Sequence, residues 1–353
     1  MQTPWGFPDF DAHEALHLIH DEATGLRAII AVHSTHLGPS AGGTRFWHYA
    51  DDADALTDVL RLSRGMSYKN AMAGLPLGGG KAVILAGEDR HKTPGQLAAF
   101  GTAIDRLGGQ YITAEDVGMT VADMIEIARK TRFVAGLPVA GGAVGGDPGP
   151  HTSLGVFLGI KAAVKRALGK DSVDGLHIAI QGAGSVASGV ALHAAAEGAK
   201  LTIADVDAAR AQALATQVNG KVADPADILS LNADVVSPCA LGAILTEQSI
   251  AALNTPIVAG GANNQLATPE DGERIHARGI LYAPDYVINA GGMINVSTEY
   301  VRDGDASLVR RRIEAIPGRL EQIWVESASS GRNPAAVADA TAQALIGRSS
   351  AAD

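Results

Sequence analysis

The chain has 353 residues, enough for about two domains, and its 46% apolar content can fill two cores. A net charge of −10 argues against nucleic acid or an acidic membrane surface as a partner. The single cysteine, Cys239, excludes an intramolecular disulfide framework and fits a reducing, cytoplasmic setting. The opening residues show no basic segment followed by an apolar one, so no secretory signal is expected, and no apolar run is long enough to span a membrane.

Residues 14–20 alternate apolar and polar side chains. A turn over 21–25 and a more apolar run over 26–33 complete an expected hairpin. His13 and His17 match the spacing of a zinc-protease motif, but that motif needs a helix. On an extended strand two such histidines stand about 13 Å apart, so they read as half-exposed strand residues and no metal site is expected. The stretch from Leu37 through Pro39, Ala41, Gly42 and Gly43 to Arg45 reads as too glycine-rich for a core strand, and as a place where a ligand approaches the backbone. Asp51 or Asp52 then caps a helix with Leu56, Val59, Leu60 and Leu62 on its apolar side and Lys69 near its end.

Lys81 follows at once, after Pro76 and the glycines 78–80, and leads into an apolar run over 82–85 that reads as a buried strand. An amine packed where glycine backbone comes close is partly desolvated, and a second amine nearby repels it. Both effects lower a lysine pKa toward the range useful for proton transfer. The Gly-Gly-Gly-Lys string imitates a phosphate-binding loop, but Leu75 stands where that loop needs glycine and Ala82 where it needs Ser or Thr, so a nucleotide triphosphatase is rejected.

A helix opened by Thr93 and Pro94 closes at Gly108 and Gly109. Residues 110–116 form a short strand ending in Glu115 and Asp116. Carboxylates at a strand end are common site residues, and also common helix caps; Thr120 could equally cap the next helix, over 121–131. Residues 140–150, rich in Gly and Pro, read as a linker and hinge, after which a helix runs from His151 to Leu168.

The run over 177–187 reads as strand, tight glycine turn and helix. Gly182 permits the turn, Gly184 lets backbone approach a pyrophosphate, and the small Ala187 lets the helix pack on the strand: a dinucleotide fingerprint. The next strand ends at Asp205, about 20 residues on, where an acid contacts a ribose and repels a 2′-phosphate, so NAD is favoured over NADP. Strands over 234–237, 256–259 and 280–282 follow, ending in Pro238-Cys239-Ala240, in Gly260 to Asn264 and in Ala283-Pro284-Asp285. In a doubly wound sheet such strand ends face the ligand, so Asn263 and Asn264 are expected at the nicotinamide or substrate. Cys239 has no base placed for it and reads as a small buried thiol. Asn289 to Gly292 make a further glycine break before a helix at Met293. Two tail helices, over 306–327 and 334–346, precede a frayed end over 347–353.

Taken together, the stretches 37–45, 65–81, 113–118, 181–187, 261–266 and 282–296 resemble, in order and across nearly the whole chain, the Glu/Leu/Phe/Val amino-acid dehydrogenase family, and most closely its leucine and phenylalanine members. The resemblance implies a two-domain α/β protein: a substrate-binding domain over 1–140 plus 331–353, a Rossmann-type NAD-binding domain over 141–330, and a cleft between them that closes to exclude water. It implies reversible NAD-dependent oxidative deamination of an apolar L-amino acid to a 2-oxo acid and ammonia, by a homo-oligomer. On this resemblance Lys69 pairs with the substrate carboxylate, Lys81 activates water, and Asp116 shuttles a proton to and from the amino nitrogen. Gly42 and Gly43 line the substrate, and Ala41, Ala114, Met293 and Val296 form its side-chain pocket, with Asn264 also touching the carboxylate. Arg45, Thr152, Gly182, Ala183, Gly184, Ser185, Val186, Ala187, Asp205, Val206, Ala240, Ala262, Asn263 and Asn264 hold the cofactor. None of the pocket residues is charged, which favours an apolar side chain over glutamate. The small Ala41 leaves room for an aromatic one, unless the long, flexible Met293 refills it. The rival readings are a dehydrogenase of another small substrate, such as a 2-hydroxy acid, and a non-catalytic NAD-binding protein.

Overall fold

The computed structural model describes residues 3–138, 144–240, 242–302 and 304–348. By contact the chain divides into two compact units: Met1–Gly146 with Asn295–Leu308 and Ala342–Asp353, and Asp147–Ile294 with Val309–Thr341. This division differs from boundaries at 140 and 330, since it gives residues 295–308 to the first unit and 331–341 to the second.

The first unit is built on the strands β1 (Ala15–Asp21), β2 (Leu26–Ser34), β3 (Ser40–Trp47), β4 (Gly78–Leu85) and β5 (Tyr111–Glu115), with helices α1 (Asp52–Met72), α2 (Pro94–Arg106) and α3 (Val121–Ala128). The sheet order is β1-β2-β4-β3-β5. The β1–β2 hairpin and the β2–β4 pair are antiparallel, whereas β3 runs parallel to both β4 and β5. Both faces of β2 are covered, which is why its sequence is almost continuously apolar. Ala28 and Ile30 join a core with Phe100, Ile104, Met124 and Ile127 of α2 and α3. Ile29 and Ala31 face Ala55 and Val59 of α1.

The run over 37–45, read as too rich in glycine for a core strand, is largely β3, the strand next to the sheet's β5 edge and buried along most of its length. Its glycines are needed because neighbours come too close for any side chain. A Cβ on Gly42 would sit 1.9 Å from the Gly80 carbonyl oxygen, and one on Gly43 2.6 Å from that of Glu115. The glycines before Lys81 likewise belong to β4 rather than to a loop. A Cβ on Gly79 would meet the Ser67 amide nitrogen at 2.1 Å, so α1 lies directly on this strand. Asp51 caps α1, and Thr120 caps α3 through a capping box with Asp123, which leaves Asp116 free of a capping role.

Residues 140–143 of the expected hinge lie outside the described residues; 144–148 form neither helix nor strand. The second unit begins with α4 (Gly149–Leu168), followed by β6 (His177–Gln181), α5 (Ser185–Ala196), β7 (Lys200–Ala204), α6 (Ala208–Gln217), β8 (Lys221–Val222), β9 (Val235–Pro238), α7 (Glu247–Ala252), β10 (Ile257–Val258), α8 (Pro269–Ala277), β11 (Leu281–Tyr282) and α9 (Asp285–Ile288). Its six strands are ordered β11-β10-β9-β6-β7-β8 and pair in parallel. This is the doubly wound order, whose reversal point lies between β6 and β9.

The helix α10 (Gly291–Val301) carries the chain back into the first unit, then come α11 (Ala306–Glu314), α12 (Ile316–Ser330) and α13 (Pro334–Leu345). The single helix expected over 306–327 is therefore two. Pro317, in the first turn of α12, has no N–H to continue a helix and forces the break. Of the end expected to fray, residues 349–353 lie outside the described residues, but Gly347 and Arg348 are held: the Arg348 guanidinium donates to the carbonyl oxygens of Asp11, Ala12 and His33 at 2.7, 3.0 and 2.9 Å. No helix among the described residues is long and apolar enough to cross a membrane.

Candidate active site

In the first unit the side chains of three adjacent strands converge. Lys81 on β4 is almost entirely buried, its side chain 7% exposed, and its Nζ lies 2.5 Å from Oδ2 of Asp116, just past the end of β5. The strand between them is β3, and Gly43 is the residue that lets them meet: a Cβ there would stand 2.9 Å from the Asp116 Cβ. Arg45, also on β3, places Nε 3.4 Å from the same carboxylate oxygen, a charge contact too long and poorly directed for a hydrogen bond. Arg45 is held by Asp58 of α1, to which its Nη1 donates at 2.8 Å, and the Tyr49 hydroxyl donates to the same Asp58 oxygen at 2.6 Å.

The neighbour facing Lys81 is a carboxylate. Burial by itself would raise the Asp116 pKa, but the Lys81 ammonium and then Arg45 more than reverse this and hold it at about 2. Asp116 is therefore held as an anion near neutral pH.

Lys69 lies in the last turn of α1. That turn is fixed on β4 from both sides of Lys69: Ser67 packs against Gly79, and Asn70 donates through Nδ2 to the Gly78 carbonyl oxygen at 2.6 Å. Ala41, Ala114 and Val296 are buried apolar residues of the same unit.

In the second unit the expected cofactor residues gather at the carboxyl ends of β6, β7, β9 and β10. Gly182 has φ +107°, a conformation that strains any residue with a Cβ. Gly184 precedes α5, and nothing lies within 4 Å of the position a side chain would take, so the backbone there is open to a ligand. The Ala187 side chain is fully buried against the sheet. Asp205 accepts from the amide nitrogens of Ala183 at 2.7 Å and Asp207 at 2.8 Å, which locks the glycine turn to the end of β7. Val206 beside it is exposed, and Ala240 packs under Gly182. Thr152 on α4 lies against Gly291 and Gly292. A glycine cradle, an open helix start and a carboxylate at the second strand end fit a dinucleotide without a 2′-phosphate.

A profile described as Glu/Leu/Phe/Val dehydrogenase, dimerisation domain, matches residues 13–133, and one described as Glutamate/Leucine/Phenylalanine/Valine dehydrogenase matches residues 203–346. A leucine dehydrogenase of Bacillus subtilis is 45% identical over 337 residues, 95% of this chain and 92% of that one. The chain belongs to the Glu/Leu/Phe/Val dehydrogenase family. A valine dehydrogenase of Streptomyces albus is 43% identical, over 95% of this chain and 92% of its own length. Among solved structures, an L-tryptophan dehydrogenase from Nostoc punctiforme superposes with a TM-score of 0.81 at 39% identity, covering 95% of this chain and 96% of that one.

Two contacts of this family member escape a reading of its sequence. Arg45, expected among the cofactor residues, lies in the first unit paired with Asp116 and Asp58. Asn289, read only as part of a glycine break, donates through Nδ2 to Asn263 Oδ1 at 2.9 Å and to the Gly261 carbonyl oxygen at 3.1 Å. It thereby fixes the Asn263 amide through its Oδ1. The available signal was the Asn itself: an amide in a glycine-rich turn at a strand end. Cys239 accepts the Gly261 N–H at 3.3 Å, and burial raises its thiol pKa, in keeping with a packing role.

Proposed function

We infer that the protein oxidatively deaminates an apolar L-amino acid to the 2-oxo acid and ammonia, with NAD as hydride acceptor. The observation that carries this reading is the Lys81–Asp116 pair at 2.5 Å, placed by β4 and β5 in the unit that also bears Lys69. Among the described residues no group of three or more His, Cys, Asp and Glu is disposed to hold a metal.

In this mechanism the Lys69 ammonium pairs with the substrate carboxylate. Asp116 takes a proton from the substrate ammonium, which frees the nitrogen lone pair to drive hydride departure from the α-carbon. The Gly182 turn and Asp205 would hold NAD, which would supply the acceptor for that hydride. Lys81, once its own ammonium proton has passed to solvent, directs water onto the imino carbon and takes a proton from it. Asp116 returns a proton to the nitrogen, ammonia leaves, and the Asp116 carboxylate takes the hydroxyl proton as the carbonyl forms. Because Asp116 is held ionised by Lys81 and Arg45, it begins the cycle ready to accept a proton. Charge attraction to the substrate ammonium replaces part of its attraction to Lys81.

Gly42, Gly43, Ala41, Ala114, Met293 and Val296 would enclose the substrate side chain, with Asn264 at its carboxylate. All are uncharged, so leucine, valine, isoleucine or phenylalanine is preferred to glutamate. This reading includes a homo-oligomer, measurable by light scattering, in a cytoplasmic setting that suits the lone unpaired cysteine. The test is Lys81→Ala: turnover of every amino acid in an aliphatic and aromatic panel is lost, while NADH still binds by fluorescence titration. Wild-type rates in this variant would overturn the mechanism.

A further inference from the structure

Glu299 on α10 ties that helix to residues 133–137, the segment that follows α3. Glu299 lies one turn beyond Val296 on α10, so the two project from the same side of the helix. Its carboxylate accepts the Gly136 N–H, at 3.0 Å to Oε2 and 3.2 Å to Oε1, and the Leu137 N–H at 3.3 Å. Gly136 has φ +77°, so the chain is turned there to present both amides. The other end of this segment is joined to β5: Thr113 donates to the Phe133 carbonyl oxygen at 3.0 Å, and Ala135 donates back to that of Thr113 at 2.9 Å. Thr113 is the residue before Ala114. A continuous run of hydrogen bonds thus leads from Ala114 on β5, through residues 133–137, to the helix face that carries Val296. All of it lies within the first unit.

Packing holds the start of this segment: Phe133 and Val134 lie in the core, and Leu137 and Tyr300 pack against it. A cavity of about 740 Å³ borders it, lined by Val134 and Leu137 on the segment and by Thr298, Glu299 and Tyr300 on α10. With space on that side, the charged acceptor at Glu299 adds a directed tie between the end of the segment and α10. Hydrogen bonds to an ionised acceptor are roughly twice as strong as neutral ones, and a half-buried carboxylate that lost them would be poorly compensated.

We propose that Glu299 is a specificity-determining positioning residue: by clamping Gly136 and Leu137 to α10 it fixes the spacing between Val296 and Ala114, and so the girth of side chain the enzyme accepts. The proposal rests on the side-chain pocket assigned above and extends it to a residue that touches no substrate. Glu299 holds the wall; it does not form it.

The experiment compares kcat/KM for L-phenylalanine and L-valine, at saturating NAD, in the wild type and in Glu299→Gln, Gly136→Ala and Val296→Ala. Replacing the carboxylate by an amide keeps the size but gives up the anionic acceptor. The phenylalanine-to-valine ratio is expected to rise roughly tenfold in Glu299→Gln, the scale that a small change in pocket size carries. A purely structural defect lowers both substrates alike and leaves the ratio unmoved. Gly136→Ala strains the turn from its other side, and is expected to move the ratio in the same direction even should Glu299→Gln fold poorly. Val296→Ala reports on the pocket itself. If it moves the ratio while both other variants stay within about twofold of wild type, the clamp is wrong and the pocket stands. If Val296→Ala leaves the ratio unmoved, the pocket assignment fails and the clamp with it.

Discussion

Replacing Lys81 with methionine keeps most of the buried volume and removes the charge that faces Asp116. The carboxyl stands at about 2, against an ordinary value of 3.8. Its side chain is 21% exposed, so solvent screening is modest. The shift corresponds to about 2 kcal/mol of folding stability, present in full above the unfolded-state pKa and lost as pH falls toward the folded one. Burial works against this stability, and Lys81 is the larger of the two cations that overcome it. Urea unfolding of the wild type, Lys81→Met, Asp116→Asn and the double variant forms a cycle that isolates the pair. Near pH 7 the coupling should be about 2 kcal/mol, and near pH 3 about half of that. A coupling below about 0.5 kcal/mol, or one that does not change between these two conditions, would show that the pair carries no such stabilisation, and that the account of an Asp116 held ionised by its neighbours is wrong.

Three further outcomes are expected. His13 is buried, with its pKa lowered from 6.5 to about 4, chiefly by burial and next by the charge of His33. Its contribution is full above its unfolded pKa and falls by about 3 kcal/mol as the ring is forced to charge on acidification, so His13→Gln should flatten the decline of the urea midpoint between roughly pH 6.5 and 4. Gly79→Ala drives a methyl into the Ser67 amide nitrogen and Oγ of α1, at 2.1 and 2.2 Å. It should cost about 3 kcal/mol or more, read by thermal melting and soluble yield. Asp205→Asn removes the anion that binds the Ala183 and Asp207 amides and repels a 2′-phosphate. NADH affinity by fluorescence titration should fall roughly tenfold and the preference over NADPH should narrow; an unchanged preference would remove Asp205 from cofactor selection.

The second unit was the more legible in the sequence, because its signals are local. Gly182, Gly184 and Ala187 follow one strand at fixed spacing, and Asp205 ends the next, so a few dozen residues declare both the turn and its ligand. In the first unit the same residue type misled. Glycines 42 and 43 have the composition of a loop, yet they are strand residues whose side-chain space is taken by the backbone oxygens of Gly80 and Glu115. Such a cause lies in tertiary packing, and spacing along the chain does not record it. His13 likewise reads as a half-exposed strand position, but it precedes β1 and is buried, donating through Nε2 toward the Leu60 carbonyl oxygen while Nδ1 accepts the Asp11 N–H. Arg348 passed for a frayed end because its partners, Asp11, Ala12 and His33, lie more than three hundred positions away. Pro317 is the exception: its break was written locally and overlooked within a run of good helix formers.

The weave of the chain has a consequence for how the molecule comes into being. The first unit takes residues from three separate stretches, the last of which includes Gln343, bonded to Tyr68, and Arg348, bonded beside His33. A nascent chain leaving the ribosome can assemble most of the second unit while the amino-terminal sheet is still waiting for its final pieces. The part made first is thus the last to be finished, and an expression fragment cut near residue 146 would emerge with its buried histidines unroofed and without the helix turn that bears Val296 and Glu299.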